Sequence, residues 1–240
     1  MKLGLGIGLG CAHSAGFKVT DLDNLIMYFD IASAALALSG TDVQSITKQA
    51  GSGNNPVGAS GQEPVYDSNN NHINFPDANS ELSYDGFSAS TTHTFALKIR
   101  TPTSSVGGSK SIFGFGQILG ALDFQARFST AGTSNLALSY IQKDGGGSTP
   151  TLATLELDTN YLLLIEFTSI SNCNLYVNDF STITASFDPR DATDFDTATA
   201  FVFGDGDVST NQQGWKLYNF VHTSDIFSST EKSSLQSFLA

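Results

Sequence analysis

The chain has 240 residues and a formal net charge of −12 at pH 7, with 18 Asp and 5 Glu against 11 Lys and Arg. Nucleic acids and anionic membranes bind basic faces, so this charge argues against both as partners. Hydrophobic residues make up 40% of the chain and include 18 Phe, so a core can form without a disulfide framework. The two cysteines, Cys11 and Cys173, allow one long-range bridge or two free thiols, and we expect free thiols.

Residues 1–20 begin with Lys2 and a short run in which Leu and Ile alternate with Gly. The run is about eight residues long, which is far too short for a membrane span and at the lower limit for a secretory signal. We therefore expect an uncleaved, extended arm. One face of such an arm is apolar and can lie along a neighbouring subunit as an added strand. The predicted docking residues are Leu3, Leu5, Ile7 and Leu9.

Short alternating segments follow the arm. Leu25, Met27 and Phe29 share one face of a predicted strand. Residues 47–72 are rich in Gly, Asn, Ser and Pro, which predicts a long surface loop around a short strand. Apolar residues alternate with polar ones in most of the later segments, which predicts half-buried strands. Strands are predicted at 64–66, 73–75, 81–84, 94–100, 122–129, 136–141 and 151–157.

Residues 160–179 organise the rest of the chain. Tyr161, Leu163, Ile165 and Phe167 fall on one face of a strand, and residues 162 and 164 are Leu on the other face. A strand that is apolar on both faces is covered on both sides and lies centrally in a sheet. The chain then turns at Asn178-Asp179, which tolerates a left-handed backbone, and we predict a return strand at 181–187.

The C-terminal part predicts two more strands, at 198–203 and 215–223, and a short helix. Ser229 is the predicted helix cap, with Glu231 in the first turn and an apolar stripe of Leu235, Phe238 and Leu239. No helix alternates with the strands. About a dozen short strands with turn-rich gaps indicate an all-β, two-sheet antiparallel jelly-roll sandwich. We assign it to residues 21–240 as one domain, preceded by the arm at 1–20.

Several motifs, in this order, resemble the concanavalin A-like, laminin-G-like domains found in bacterial and bacteriophage proteins. They are Tyr28-Phe29-Asp30, the Gly/Asn-rich segment 40–55, Pro64, Ile112-Phe113-Gly114, the NLYVND hairpin at 174–179, the FVFG segment at 201–204 and the terminal helix. Asp179 replaces the glycine usual in that hairpin, and the tryptophan often found before the Gly/Asn loop is missing. The resemblance implies the sandwich fold, and it implies a lectin-like binder, a glycan hydrolase or a virion surface module as the function.

Catalytic signatures are weak. A sandwich glucanase places its acids as Glu-x-Asp-x-Glu on one strand, and the nearest match runs from Glu156 through Asp158 to Asn160, which lacks the final acid. The four histidines are scattered, no Gly-x-Ser-x-Gly elbow exists, and no Cys/His spacing indicates zinc. The sequence therefore predicts that the protein is not an enzyme and needs no cofactor.

One loop offers a candidate ligand site. Asp205, Asp207 and Asn211 place oxygen atoms along a Gly-containing segment that could wrap Ca²⁺, although an Asp/Gly-rich turn explains it equally simply and we favour the turn. Trp215, the only tryptophan, could stack on a sugar if it is exposed beside that loop. Inside the sandwich it would be a core residue, which is the interpretation that we favour.

The first functional hypothesis is a virion structural protein of a tailed bacteriophage, decorating the capsid or forming part of a head or tail fibre. Its predicted partners are other virion proteins, reached through the arm, and further copies of the chain, because an arm can satisfy a neighbour's open sheet edge. Adhesion to host glycans is compatible with that role. The alternative is a free, extracellular carbohydrate-binding module. A distant third hypothesis is a glycoside hydrolase, whose turnover would depend on Glu156 or Asp158.

Overall fold

The alternating segments of the sequence form antiparallel strands in the computed structural model. The structure describes residues 17–76, 80–106, 110–116, 124–131, 135–142, 150–169, 171–188, 200–204 and 214–240. A 3-10 helix at Val19–Asp21 precedes the strands, and helix α1 (Ser229–Leu239) follows them. The strands are β1 (Leu25–Asp30), β2 (Ala35–Ser39), β3 (Asp42–Thr47), β4 (Val57–Gly58), β5 (Val65–Asp67), β6 (His72–Phe75), β7 (Glu81–Tyr84), β8 (His93–Arg100), β9 (Lys110–Gly116), β10 (Phe124–Thr130), β11 (Asn135–Gln142), β12 (Thr151–Glu156), β13 (Asn160–Ser169), β14 (Asn172–Val177), β15 (Ala185–Phe187), β16 (Ala200–Gly204) and β17 (Trp215–Thr223).

The strands make two layers, which β5 joins by pairing with β6 of one layer and with β3 of the other. In the front layer β6 and β1 pair with successive halves of β17, and β8, β13, β14 and β15 follow in that order. The back layer runs β2, β3, β4, β7, β16, β9, β10, β11, β12. Aromatic rings meet between the layers, with ring centroids 5.0 Å apart for Phe95 and Phe201 and 4.7 Å apart for Phe203 and Phe220. The predicted all-β antiparallel sandwich is confirmed.

Strand β13 lies centrally, as predicted, between β8 and β14. Its inward side chains, Leu163 and Phe167 among them, are fully buried in the core between the layers. Its outward Leu164 belongs to a second apolar cluster on the far side of the front layer. Burial on both faces explains why this segment is apolar at consecutive positions.

Helix α1 covers the outward face of the front layer. Leu235 and Leu239 pack in the second cluster with Leu164, whereas Phe238 of the predicted stripe remains 42% exposed. The predicted cap is wrong by one residue, because Ser228 caps the helix: its Oγ accepts from the Glu231 N–H, and the Glu231 carboxylate accepts from the Ser228 N–H. This reciprocal pair is a capping box.

The predicted return strand at 181–187 is shorter than expected, because only β15 (Ala185–Phe187) pairs with β14. Asn178 has a φ of 62°, which confirms the left-handed turn. Asp179 then accepts hydrogen bonds from the Ser181 N–H, the Ser181 hydroxyl and the Thr182 hydroxyl. These local bonds favour a turn over a ladder at those residues.

A buried chain of polar rings crosses the core. Tyr84 Oη lies 2.7 Å from His222 Nδ1, and His222 Nε2 lies 2.9 Å from His93 Nδ1. Burial lowers the pKa of His93 to about 4 and holds the pKa of His222 well below its ordinary value. Both rings are therefore neutral in the folded protein at neutral pH.

The two buried histidines, His93 and His222, should make the stability of the protein depend on pH. In the unfolded chain both rings bind a proton below about pH 6.5, whereas the folded protein resists protonation until much lower pH. The free energy of unfolding should therefore fall as pH drops from about 6.5 to about 4, by up to about 1.4 kcal/mol per pH unit for each ring. Urea unfolding of the wild type and of His93→Gln across this range measures the effect. The variant should show a shallower slope, and parallel slopes would contradict the assignment.

Candidate ligand-binding site

Three polar side chains form a row across the end of the front layer. Asn74 of β6 pairs with Lys216 of β17, and Lys216 pairs in turn with Arg100 of β8. Their strand neighbours, including Ile99 and Leu217, point into the core. Because side chains alternate along a strand, the row faces outward. Helix α1 covers another part of this face, where Ala96 of β8 and Val221 of β17 pack with its apolar side chains.

A β-bulge places one more side chain beside the row. The pairing of β17 with β8 shifts between Leu217 and Asn219, so Tyr218 is an extra residue without a direct partner on β8. Its main-chain oxygen accepts from the Ile31 N–H at 2.9 Å. The Tyr218 ring centroid lies 5.4 Å from that of His72. Bulges commonly redirect a side chain at the edge of a functional site.

The β5–β6 hairpin forms the opposite wall. Asp67 accepts hydrogen bonds from the main-chain N–H groups of Asn69 and Asn70 and from the Asn70 side chain, and these contacts fix the turn. These donors, led by the Asn70 side chain, lower the pKa of Asp67, so the carboxylate is ionised at neutral pH. On the same hairpin the Tyr66 hydroxyl donates to Asn71 Oδ1.

The row, the bulge and the hairpin enclose a cavity of about 750 Å³, a volume within the range of small-molecule binding sites. Its lining is mostly polar and includes two tyrosines, three amides, one imidazole, two carboxylates and two permanent cations. The lining residues that carry these groups are Tyr66, Asp67, Asn69, Asn70, His72, Asn74, Arg100, Asp158, Lys216 and Tyr218.

Arg100 and Asp158 form a bidentate ion pair at one end of the cavity. Arg100 Nε lies 2.9 Å from Asp158 Oδ1, and Arg100 Nη2 lies 3.0 Å from Oδ2. The hydrogen bond from Arg100 lowers the pKa of Asp158, and the same bond raises the pKa of Arg100. Both groups therefore remain charged over the physiological range, and both Asp158 oxygens are occupied.

Two polar atoms in the lining are buried without a hydrogen-bond partner among the described residues, His72 Nδ1 and Asn74 Oδ1. The His72 side chain is only 6% exposed, and its Nε2 lies 3.7 Å from Asp67 Oδ2. Burial lowers the pKa of His72, although the Asp67 charge and the nearby Asn70 main chain oppose this, so the ring is neutral at neutral pH. Buried polar atoms without partners are rare in native proteins, so these two atoms are available to a water molecule or to a ligand.

Trp215, a predicted sugar-stacking residue, does not reach this cavity. Its side chain is fully buried, and its ring stacks on Phe75 with centroids 4.2 Å apart and an interplanar angle of 2°. Trp215 therefore presents no ring face to a ligand, and the core interpretation favoured from the sequence agrees with its position. It precedes Lys216 on β17, so alternation directs it to the opposite side of the strand.

The remaining predicted site residues, Asp205, Asp207 and Asn211, lie outside the described residues, and so do the arm residues Leu3, Leu5, Ile7 and Leu9. In the part of the chain that the structure describes, no group of three His, Cys, Asp or Glu residues could hold a metal ion. The Ca²⁺ site and the docking arm therefore stay predictions. Cys173 is a buried free thiol whose pKa is raised by burial.

The glucanase-like acids are not aligned as a catalytic set. Strand β12 ends at Glu156, and Asp158 adopts a left-handed φ of 50° in the turn that follows. The alternation that would place both carboxylates on one face is therefore broken between them. The Asp158 oxygens are already held by Arg100.

No protein-family model and no curated protein matches the chain. Solved structures share its fold. Trypanosoma rangeli sialidase in complex with sialic acid is similar with a TM-score of 0.62 and 12% identity over 90% of this chain and 33% of the sialidase chain. The binding domain of Paraclostridial Mosquitocidal Protein 1 is similar with a TM-score of 0.61 and 15% identity, over 92% of this chain and 53% of the matched chain. A structure of botulinum neurotoxin type C is similar with a TM-score of 0.59 and 9% identity, over 91% of this chain and 52% of the matched chain. Cell entry of that toxin is described as dependent upon interaction with two ganglioside molecules.

The chain thus shares an all-β sandwich fold with these structures, and it spans a third to about half the length of the matched chains. The similarity to sialidases contradicts the prediction that the protein is not an enzyme. That prediction rested on missing sequence motifs, whereas the fold also occurs within chains that are enzymes. At these identities the likeness shows the fold alone.

Apart from Asp158, the residues that line the cavity could not be identified as site residues from the sequence. Lys216, Arg100 and Asn74 occupy the outward positions of three strands that are distant in the sequence, and only the strand pairing brings them together. One signal was available: cations are scarce in this acidic chain, and two of them stand at the polar positions of strongly alternating strands.

Among the described residues, no helix is long and apolar enough to cross a membrane.

Proposed function

We propose that the protein is a lectin-like carbohydrate-binding module and that the cavity between the β5–β6 hairpin and strands β8 and β17 is its binding site. The observation that carries this proposal is the pair of buried, unpartnered atoms, His72 Nδ1 and Asn74 Oδ1, in the lining. A sugar hydroxyl can donate to the amide oxygen, and another can pair with the imidazole nitrogen. The cavity also presents Tyr66 and Tyr218, and tyrosine offers both an apolar ring and a polar hydroxyl.

The structural neighbours support this proposal, because they include a toxin linked to gangliosides and domains described as binding domains. The role as a virion structural protein, which the sequence suggested, stays a prediction. The arm on which it depends lies outside the described residues, and none of the neighbours reported above is described as a virion protein. The predicted virion partners and self-association likewise remain untested.

A glycan array followed by calorimetry on the bound glycans tests the proposal. Asn74→Ala should weaken binding by about fivefold or more, because one buried hydrogen bond contributes about 1 kcal/mol. Its unfolding temperature should stay close to that of the wild type, since Asn74 Oδ1 has no partner to lose among the described residues. Asn160→Ala is the matched control, because Asn160 is exposed and does not line the cavity. A blank array, or equal affinities for Asn74→Ala and the wild type, would rule out this site.

A further inference from the structure

The charges of the cavity are distributed unevenly. Arg100 and Asp158 neutralise each other in their bidentate pair. Lys216 also lines the cavity, and none of the ion pairs among the described residues includes it. Lys216 pairs directly with Arg100 across β17 and β8, so it lies beside the Arg100–Asp158 pair, and its charge contributes to lowering the pKa of both Asp158 and His72. Arg100, Asp158 and Lys216 together therefore leave one positive charge there, in a chain whose net charge is −12.

Asp67 does not cancel this charge locally. Both of its oxygens are engaged by the turn of the β5–β6 hairpin, through the Asn69 and Asn70 donors. Asp67 makes no ion pair with Lys216 among the described residues. The cavity is thus polarised, with a satisfied carboxylate on the hairpin and an uncompensated ammonium group on β17.

The unpartnered atoms limit what kind of anion fits. Asn74 pairs directly with Lys216 across the strands, so the two side chains are neighbours on one face. Asn74 Oδ1 only accepts hydrogen bonds, and a bare inorganic anion would offer it no donor. A hydroxyl-bearing ligand with one anionic substituent satisfies both residues, because its hydroxyl can donate to Asn74 Oδ1 while its anionic group accepts from Lys216 Nζ.

We infer that the cavity selects an acidic sugar, in which a carboxylate or sulfate group pairs with Lys216 and a neighbouring hydroxyl donates to Asn74. This inference rests on the proposed carbohydrate-binding function and specifies its ligand class. Lys216 then acts as the specificity-determining residue, and Arg100 stays paired with Asp158.

The test compares three versions of one oligosaccharide that end in glucose, in glucuronic acid or in a sulfated glucose. The wild type should bind at least one acidic version about tenfold or more tightly than the neutral one, since hydrogen bonds to charged groups contribute about 1.5–3 kcal/mol. Lys216→Gln should remove this preference, so that it binds the acidic and neutral versions with similar affinities, and Lys216→Arg should retain most of the preference. Lys18→Gln is the control, because it makes the same charge change at an exposed lysine outside the cavity.

The outcomes separate the inference from the proposed function. Equal binding of the neutral and acidic versions, or an acidic preference that survives in Lys216→Gln, overturns the inference and leaves a carbohydrate-binding module in place. Failure of the wild type to bind any version, after a blank glycan array, overturns the proposed function and the inference with it. The stronger of the two acidic ligands identifies the anionic group.

Discussion

Replacing Lys232 with Met should lower the free energy of unfolding by about 3–5 kcal/mol, the usual cost of leaving one partner of a buried ion pair behind. Lys232 Nζ lies 2.6 Å from Glu166 Oε2 and 2.8 Å from the Tyr176 hydroxyl, and the Glu166 side chain is 1% exposed. The other carboxylate oxygen, Oε1, has no hydrogen-bond partner among the described residues. Without the lysine, a buried carboxylate beneath helix α1 would lose its only cation among those residues.

Urea unfolding followed by circular dichroism measures this effect, with Lys18→Met as the control at an exposed lysine. The double variant Glu166→Leu/Lys232→Met should recover much of the loss, because replacing a whole buried pair by apolar side chains is often neutral. A single variant as stable as the wild type would show that Glu166 does not depend on this lysine.

Trp215→Ala should also lower the free energy of unfolding by about 3–5 kcal/mol, because it removes a large buried side chain and leaves a cavity. The ring stacks on Phe75 and is fully buried. For a chain of this size the unfolding temperature should fall by about 6–20 °C. Trp215→Phe keeps a ring on Phe75 and should lose much less.

Thermal unfolding by circular dichroism, together with glycan binding at a temperature where the variants are folded, distinguishes this from a sugar-stacking role. If Trp215 is a core residue, its replacement lowers the unfolding temperature. If Trp215→Ala kept the unfolding temperature of the wild type and lost only glycan binding, the ring would have to reach the ligand.

The sheet could be predicted from the sequence because one face of most strands is apolar. In β8, Phe95, Leu97 and Ile99 alternate with polar or small residues, and all three are fully buried. Strand lengths were less predictable where side chains compete with the ladder. Residues 181 and 182 bond to Asp179 instead of continuing β15, although their alternation with Ile183 suggests a strand.

The site could not be predicted in the same way, because it depends on which strands are neighbours. Nothing in the local pattern indicates that Lys216 lies between Asn74 and Arg100. The bulge at Tyr218 was also hidden, since an inserted residue in an alternating segment resembles ordinary variation. The loop-based hypothesis instead placed weight on Trp215, whose neighbour on the strand, Lys216, is the one that faces the cavity.

The outward face of the front layer is shared between helix α1 and the cavity. The helical half buries Leu164 and Val221 and so fixes the spacing of β13, β8 and β17. The other half needs no such cover, and its wall is a short hairpin whose turn, 68–71, is set by local Asp67 contacts. The residues of that turn can therefore be varied in a library while the strands stay constant, which makes 68–71 a suitable place to change the lining of the cavity.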